Sequence, residues 1–287
     1  MDELLLIITA SLVAIPAAII GVLLQLKKSV MIGDAISHAV LPGIVIAYLV
    51  AGTMDSNVVV IGAAIAGFST TLLIDFFHTR LAIQKDAAIG TAATFLFSLG
   101  VLLLALFFGQ NTELDQECVL YGAIETSVIE QYVTGNYIIG TRAIFQLLPL
   151  NIVVIILVFK GLNVWKSWLF SDSFTTMIGF NVSTWRILLL LLLSLHAVLS
   201  FESVGAVMLI GLLVLPGATA LLIAKSLKST LILAISAALI ACVAGVLIGF
   251  QLNISIAPVI ILSNSFLFLI TFIYSTKHKR HLNFTKN

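Results

Sequence analysis

The sequence predicts an all-α polytopic membrane protein, a bundle of eight or nine transmembrane helices. Of its 287 residues, 61% are hydrophobic and only 9% are charged, whereas soluble domains carry roughly 25% charged residues. The mean hydropathy is +1.20. Apolar windows of about 20 residues, the length that crosses a bilayer as a helix, recur along the whole chain.

Nine such windows can be placed along the sequence. They start near Leu4, Ile32, Asn57, Ala87, Tyr137, Ile187, Val204, Thr230 and Ile256. The count falls to eight if two adjoining windows form one span. The first window, within Met1 to Leu26, lacks a basic segment and a small-residue cleavage site, so we expect a retained helix. Nothing marks a soluble domain, and residues 1–287 are expected to form a single transmembrane domain.

The basic residues predict the orientation of these helices. They cluster at alternate ends of the windows: Lys27 and Lys28; Arg80 and Lys85; Lys160, Lys166 and Arg186; Lys225 and Lys228; Lys277, Lys279, Arg280 and Lys286. By the positive-inside rule these loops are cytoplasmic, so the N-terminus is predicted outside and the C-terminus inside. Only Arg142 disagrees. The formal net charge of +1 gives no electrostatic case for binding nucleic acid.

Asp34 and His38 stand out within the stretch "GDAISHAVLPG", residues 33–43. An ionisable residue inside a span usually faces a pore or a partner. Residues four apart lie on one face of a helix, about 5 to 6 Å apart at Cβ. One carboxylate oxygen and one imidazole nitrogen suit a divalent ion such as Mn²⁺, Fe²⁺ or Zn²⁺. Two ligands are too few, so a second copy of the helix, other side chains or water would complete the site.

Other interpretations of this pair stay open. Asp34 and His38 could simply pair with each other near the basic end of the span, or form the proton relay of a proton-coupled secondary metal carrier. A non-transporting membrane receptor or assembly factor is a third class. Pro42 has no N–H for the carbonyl of His38, so a kink is expected there.

Four stretches, in chain order, resemble the permease subunits of ATP-binding-cassette (ABC) importers for manganese, zinc or iron. They are "GDAISHAVLPGI" (33–44), "DAAIGTAATFLFSLGVLLL" (86–104), "LDQECVLYG" (114–122) and "SVGAVMLIGLLVLPGATALLIA" (203–224). The third is similar to the branch associated chiefly with manganese. The resemblance implies a type II ABC importer-like bundle in a bacterial cell membrane, with Asp34 and His38 lining the metal path.

The resemblance also implies partners. These are a cytoplasmic ATPase dimer that binds ATP, an extracytoplasmic metal-binding protein, and a second permease subunit of the same or a related chain. The chain has no G-x-x-x-x-G-K-[ST] phosphate loop, so we expect a transport subunit rather than an enzyme. No cofactor is expected to be bound permanently, and Mn(II), Zn(II) or Fe(II) would be the cargo.

Further candidate residues lie near the predicted outer side. An acidic mouth or gate is expected within the segment 109–136, at Glu113, Asp115, Glu117 and Cys118, where it would concentrate cations; an ordinary polar loop is the alternative. Glu202 and His196 are additional candidates for the metal path. For His196, a hydrogen bond between helices is the commoner outcome.

The stretch "PGATALLIAKSLKST", residues 216–230, is the candidate contact with the ATPase. Pro216 is expected to break the span, and the short amphipathic turn after it resembles a coupling helix that seats in an ATPase subunit. The candidate coupling residues are Pro216, Gly217, Ala218, Lys225 and Lys228. The alternative is a basic inner loop that obeys the positive-inside rule.

Overall fold

The structure, a computed structural model, describes residues 2–52, 56–108, 124–125, 131–134 and 137–284. Within these ranges nine helical segments are long and apolar enough to cross a bilayer. The predicted helical membrane fold is therefore confirmed, and the described residues contain the larger of the two predicted numbers of spans.

The chain folds into ten helices and one short hairpin within the described ranges. The helices are α1 (Asp2–Leu26), α2 (Met31–Ala51), α3 (Ser56–Thr79), α4 (Lys85–Phe108), α5 (Arg142–Lys160), α6 (Leu162–Phe170), α7 (Asp172–Met177), α8 (Val182–Ile223), α9 (Leu227–Leu252) and α10 (Ile256–Phe284). Strands β1 (Gln131–Thr134) and β2 (Tyr137–Thr141) pair antiparallel, with Gln131 opposite Thr141. The span predicted to start near Tyr137 therefore begins only at Arg142, because the preceding Tyr, Ile and Thr residues favour a strand.

Helix α8 contains two spans. Its 42 residues would extend for roughly 63 Å, about twice the thickness of the hydrocarbon layer. Gly205 interrupts it with φ 76° and ψ 166°, a backbone conformation that few residues other than glycine adopt. The two spans are Val182–Phe201 and Ser203–Ile223, so these adjoining windows do not merge.

The helices form two compact units. The first comprises Met1–Lys28, Ala123–Val182 and Val207–Asn287, and the second comprises Ser29–Gly122 and Ser183–Ala206. In the first unit, α1 packs against α5 and α9, and α9 packs against α10. In the second unit, α2 packs against both α3 and α4. That the whole chain acts as one domain stays a prediction.

Asn151 satisfies a carbonyl group that Pro16 leaves without its usual donor. Pro16 lies inside α1 and has no N–H to donate to the carbonyl of Leu12, four residues earlier. The Nδ2 atom of Asn151, a buried residue of α5, donates a hydrogen bond to this carbonyl at 2.7 Å. Because the hydrocarbon layer contains no water, such a carbonyl must find its partner in a neighbouring helix.

Gln25 of α1 forms hydrogen bonds with the backbone of α8 beside Pro216. Its Nε2 atom donates to the carbonyl oxygens of Leu213 and Val214, at 3.1 and 2.7 Å. Helix α8 continues through Pro216 and ends at Ile223, so the expectation that Pro216 breaks the span was wrong. Membrane helices tolerate a proline where neighbouring groups stabilise the backbone around it. Here Gln25 serves the two carbonyls that follow that of Leu212, the one which Pro216 leaves without its usual donor.

We expect Asn151→Leu to lower the free energy of unfolding by about 1 to 2 kcal/mol, because the Leu12 carbonyl loses its donor. In a Pro16→Ala background the loss should shrink, since an alanine at this position supplies the missing N–H. Denaturation in mild detergent of the wild type, the two single variants and the double variant measures this coupling. Asn264→Leu is the matched control, since Asn264 is buried and its amide has no partner among the described residues; it should cost nothing. If Asn151→Leu lowered the free energy of unfolding equally in both backgrounds, Asn151 would not be replacing the donor that Pro16 lacks.

Candidate metal site

Helix α2 presents Asp34 and His38 on one face. Asp34 lies in the first turn of α2, and His38 follows one turn later. The Oδ1 atom of Asp34 lies 3.6 Å from Nε2 of His38. The side chains are 39% and 42% exposed, respectively. The carboxylate and the imidazole are therefore close enough to bind one cation and open enough to admit it.

Helix α4 supports α2 beside this pair. The ring of Phe97 meets the imidazole of His38 edge to face, with 6.1 Å between the ring centroids and 82° between the planes. One turn further along, a Cβ atom on Gly100 would lie 2.8 Å from Cδ of Pro42. Phe97 and Gly100 were not among the predicted site residues. Both lie in the stretch 86–104, one of the four that carry the family resemblance. This was the signal in the sequence that could have pointed to them.

Helix α3 holds the other side of α2 at backbone contact. A Cβ atom on Gly43 would lie 2.3 Å from the carbonyl oxygen of Gly62, and a Cβ atom on Gly62 would lie 2.5 Å from that of Gly43. Only glycine lets two helices approach this closely. The ligand-bearing helix is therefore fixed between α3 and α4.

One chain supplies only part of a metal site. The described ranges contain no group of three or more His, Cys, Asp or Glu residues placed to hold a metal ion. A divalent transition metal usually takes four to six ligands. Asp34 and His38 thus form an open half-site, and their metal role stays a prediction.

The other predicted ligands do not join this pair. His196 is fully buried in the first span of α8, with Oγ of Ser200 at 3.3 Å from its Nδ1. Ser200 lies one turn further along the same helix, so this hydrogen bond is not the bond between helices that was expected. The metal role of His196 stays a prediction. Glu202 lies between the two spans of α8, and its side chain is outside the described part. Glu113, Asp115, Glu117 and Cys118 lie outside the described residues.

The candidate coupling residues divide into a buried and an exposed group. Pro216 and Gly217 are buried in the second span of α8, and Ala218 is half-buried there. Lys225 is exposed at the turn between α8 and α9, and Lys228 is exposed in the first turn of α9. No separate coupling helix stands between Ile223 and Leu227, and of the five candidate coupling residues only the two lysines are exposed.

Three comparisons relate the chain to known proteins. It is 35% identical to the manganese transport system membrane protein MntD of Bacillus subtilis, over 98% of this chain and 96% of the relative. It is 30% identical to the zinc transport system membrane protein TroD of Treponema pallidum, over 95% of this chain and 74% of the relative. The solved structure of PsaBC from Streptococcus pneumoniae in complex with a Fab superposes with a TM-score of 0.75, at 28% identity, over 93% of this chain and 90% of that one.

The bacterial relatives and the nine spans of the described residues establish a multi-pass protein of the cell membrane. Residues 3–275 match the model of the ABC 3 transport family. The resemblance seen in the sequence is thereby confirmed: the chain belongs to the ABC 3 transport family, as the membrane-spanning permease of an ABC transporter.

Proposed function

We propose that this permease imports a divalent transition metal ion, manganese above zinc or iron, through a path lined by Asp34 and His38. The observation that carries the proposal is the placement of one carboxylate and one imidazole 3.6 Å apart on one face of a membrane helix. Oxygen and nitrogen ligands suit these ions. Relatives of the chain include a manganese transport protein and a zinc transport protein.

A second permease chain, identical or related, completes the metal site. Two copies of the pair would supply two carboxylates and two imidazoles, which is enough for a transition metal when water fills any remaining position. The openness of Asp34 and His38 on a single chain supports this arrangement. The structural likeness to PsaBC is consistent with it.

The energy for transport comes from a separate cytoplasmic ATPase dimer, and a metal-binding protein delivers the ion on the outer side. In this scheme the N-terminus lies outside and the C-terminus inside, and residues 1–287 act as one permease domain. The exposed Lys225 and Lys228 then lie on the side of the ATPase, where they are available to contact it. The family match does not favour the alternative of a proton-coupled carrier.

Transport assays in proteoliposomes distinguish these mechanisms. We expect the permease, reconstituted with its ATPase and binding protein, to take up radioactive manganese only with ATP on the ATPase side, and to stop when vanadate is added. A protonophore should leave uptake unchanged. Competition with zinc and iron ranks the metals. Uptake that persists without ATP and fails with the protonophore would support the carrier instead.

A further inference from the structure

The contacts between α2 and α4 define the level of each residue along the path. Pro42 meets Gly100 and His38 meets Phe97. At the start of the two helices, Lys85 donates a hydrogen bond to the hydroxyl of Ser29, two residues before α2 begins. The residue numbers rise together on the two helices, so α2 and α4 run parallel. Both helices begin at the end of the second unit where Arg80 and Lys85 cluster, the predicted cytoplasmic side.

When α2 and α4 are aligned by these contacts, Asp86 lies nearer to the basic end of the unit than Asp34 and His38 do. The two contacts between the helices place Asp86 roughly 10 Å closer than Asp34 to the basic end, at 1.5 Å per residue. Asp86, Gly90 and Phe97 share one face of α4, because their spacing of four and seven residues follows the helical repeat. Phe97 is the residue of this face that contacts His38.

This face of α4 is open between Phe97 and Asp86. Asp86, Gly90 and Thr94 are exposed, and a Cβ atom on Gly90 would meet nothing within 4 Å. On this chain, therefore, no side chain of the described residues covers α4 at Gly90, between Phe97 and Asp86.

Asp86 also differs from the other acidic residue at this end of the unit. Asp75 is paired with Arg186 at 3.3 Å. Asp86 has neither an ion pair nor a side-chain hydrogen bond within the described ranges. Basic side chains such as Arg80 and Lys85 would repel a departing cation. The negative charge of Asp86, which no ion pair in the described ranges neutralises, offsets this repulsion.

We propose that Asp86 is the exit ligand of the permease, the carboxylate to which a divalent metal ion passes from Asp34 and His38 before it enters the cytoplasm. This inference rests on the proposed function. Asp86 acts after the ion has left the main site, so it affects the rate of release and not the occupancy of that site. A carboxylate with water around it binds Mn²⁺ weakly enough to let it go.

The test uses the reconstituted transporter and Mn²⁺ as the probe. Asp86→Asn should bind Mn²⁺ at the wild-type stoichiometry, measured by electron paramagnetic resonance, but its maximal uptake rate should fall roughly 10-fold, the scale of losing a supporting group at a metal site. Asp86→Glu should retain most of the rate. The double variant Asp86→Asn/Ala87→Asp keeps the net charge and the negative charge in the first turn of α4. It moves the carboxylate about 100° around the helix, and should stay slow.

Two outcomes would overturn the proposal. Wild-type uptake by Asp86→Asn would show that no ion needs this carboxylate. Recovery of uptake in Asp86→Asn/Ala87→Asp would show that Asp86 serves only as a favourable charge at the helix N-terminus. Failure of the proposed function gives a different result: Asp34→Asn would then bind and transport Mn²⁺ normally, whatever Asp86 does.

Discussion

Replacing Asp34 or His38 with alanine should reduce manganese uptake by more than roughly 100-fold at matched expression. Loss of an outer partner at a metal site already costs about 10- to 100-fold, and each of these residues is itself a proposed ligand. In a pore with two copies of the chain, one substitution removes two ligands. Uptake of radioactive manganese by cells whose only importer carries each variant measures the effect.

Ser37→Ala is the matched control for these variants. Ser37 lies between the two ligands on α2, and its hydroxyl donates only to the carbonyl of Asp34 in the same helix. The Ser37→Ala variant should take up manganese at the wild-type rate. Assembly with the ATPase should be preserved in all three variants, as checked by co-purification. Normal uptake by both Asp34→Ala and His38→Ala would leave the two residues as a structural pair and direct attention to the outer segment 109–136.

Gly43→Ala should lower the free energy of unfolding by about 3 kcal/mol, at the upper end of the usual cost of overpacking. The added Cβ atom would lie 2.3 Å from the backbone oxygen of Gly62 and 2.5 Å from Cβ of Ala66. Neither neighbour is the flexible end of a side chain, so α2 and α3 must move apart. The midpoint of thermal denaturation in detergent should fall accordingly.

Gly90→Ala provides the control for helix propensity. Gly90 is also within a membrane helix, but its added Cβ atom would meet nothing within 4 Å. This substitution should be neutral or stabilise the protein by up to about 1 kcal/mol, because alanine favours a helix. If Gly43→Ala were as stable as Gly90→Ala, the close approach of α2 and α3 would be wrong.

The fold was largely predictable because lipid imposes a simple rule on sequence. Apolar windows of about 20 residues must become helices in the absence of water, and the windows starting near Leu4, Ile32 and Ile256 fall on α1, α2 and α10. That α8 continues through Pro216 was not predictable from the sequence. Whether a proline breaks a membrane helix depends on a donor from another helix, and Gln25 is distant in sequence from Leu213 and Val214.

The candidate site was predictable only in part, for a similar reason. The spacing of Asp34 and His38 within one helix directly predicts that they share a face, and the structure places them so. The contacts of Phe97 with His38 and of Gly100 with Pro42 depend on how α4 packs against α2. Helical spacing alone does not encode this register between two helices.

The amide side chains that serve Pro16 and Pro216 have a consequence for biosynthesis. The Leu12 carbonyl in α1 finds its donor 139 residues later in the chain, and Gln25 finds its acceptor Val214 after 189 residues. At ribosomal rates of about 5 to 20 residues per second, Gln25 waits roughly 10 to 40 s for its partner to be synthesised. Until α5 is made, the Leu12 carbonyl also has no donor in the bilayer, so we expect the first helix to be incompletely stabilised during this interval. Truncated chains that end before α5 should therefore be degraded faster than chains that end after α8.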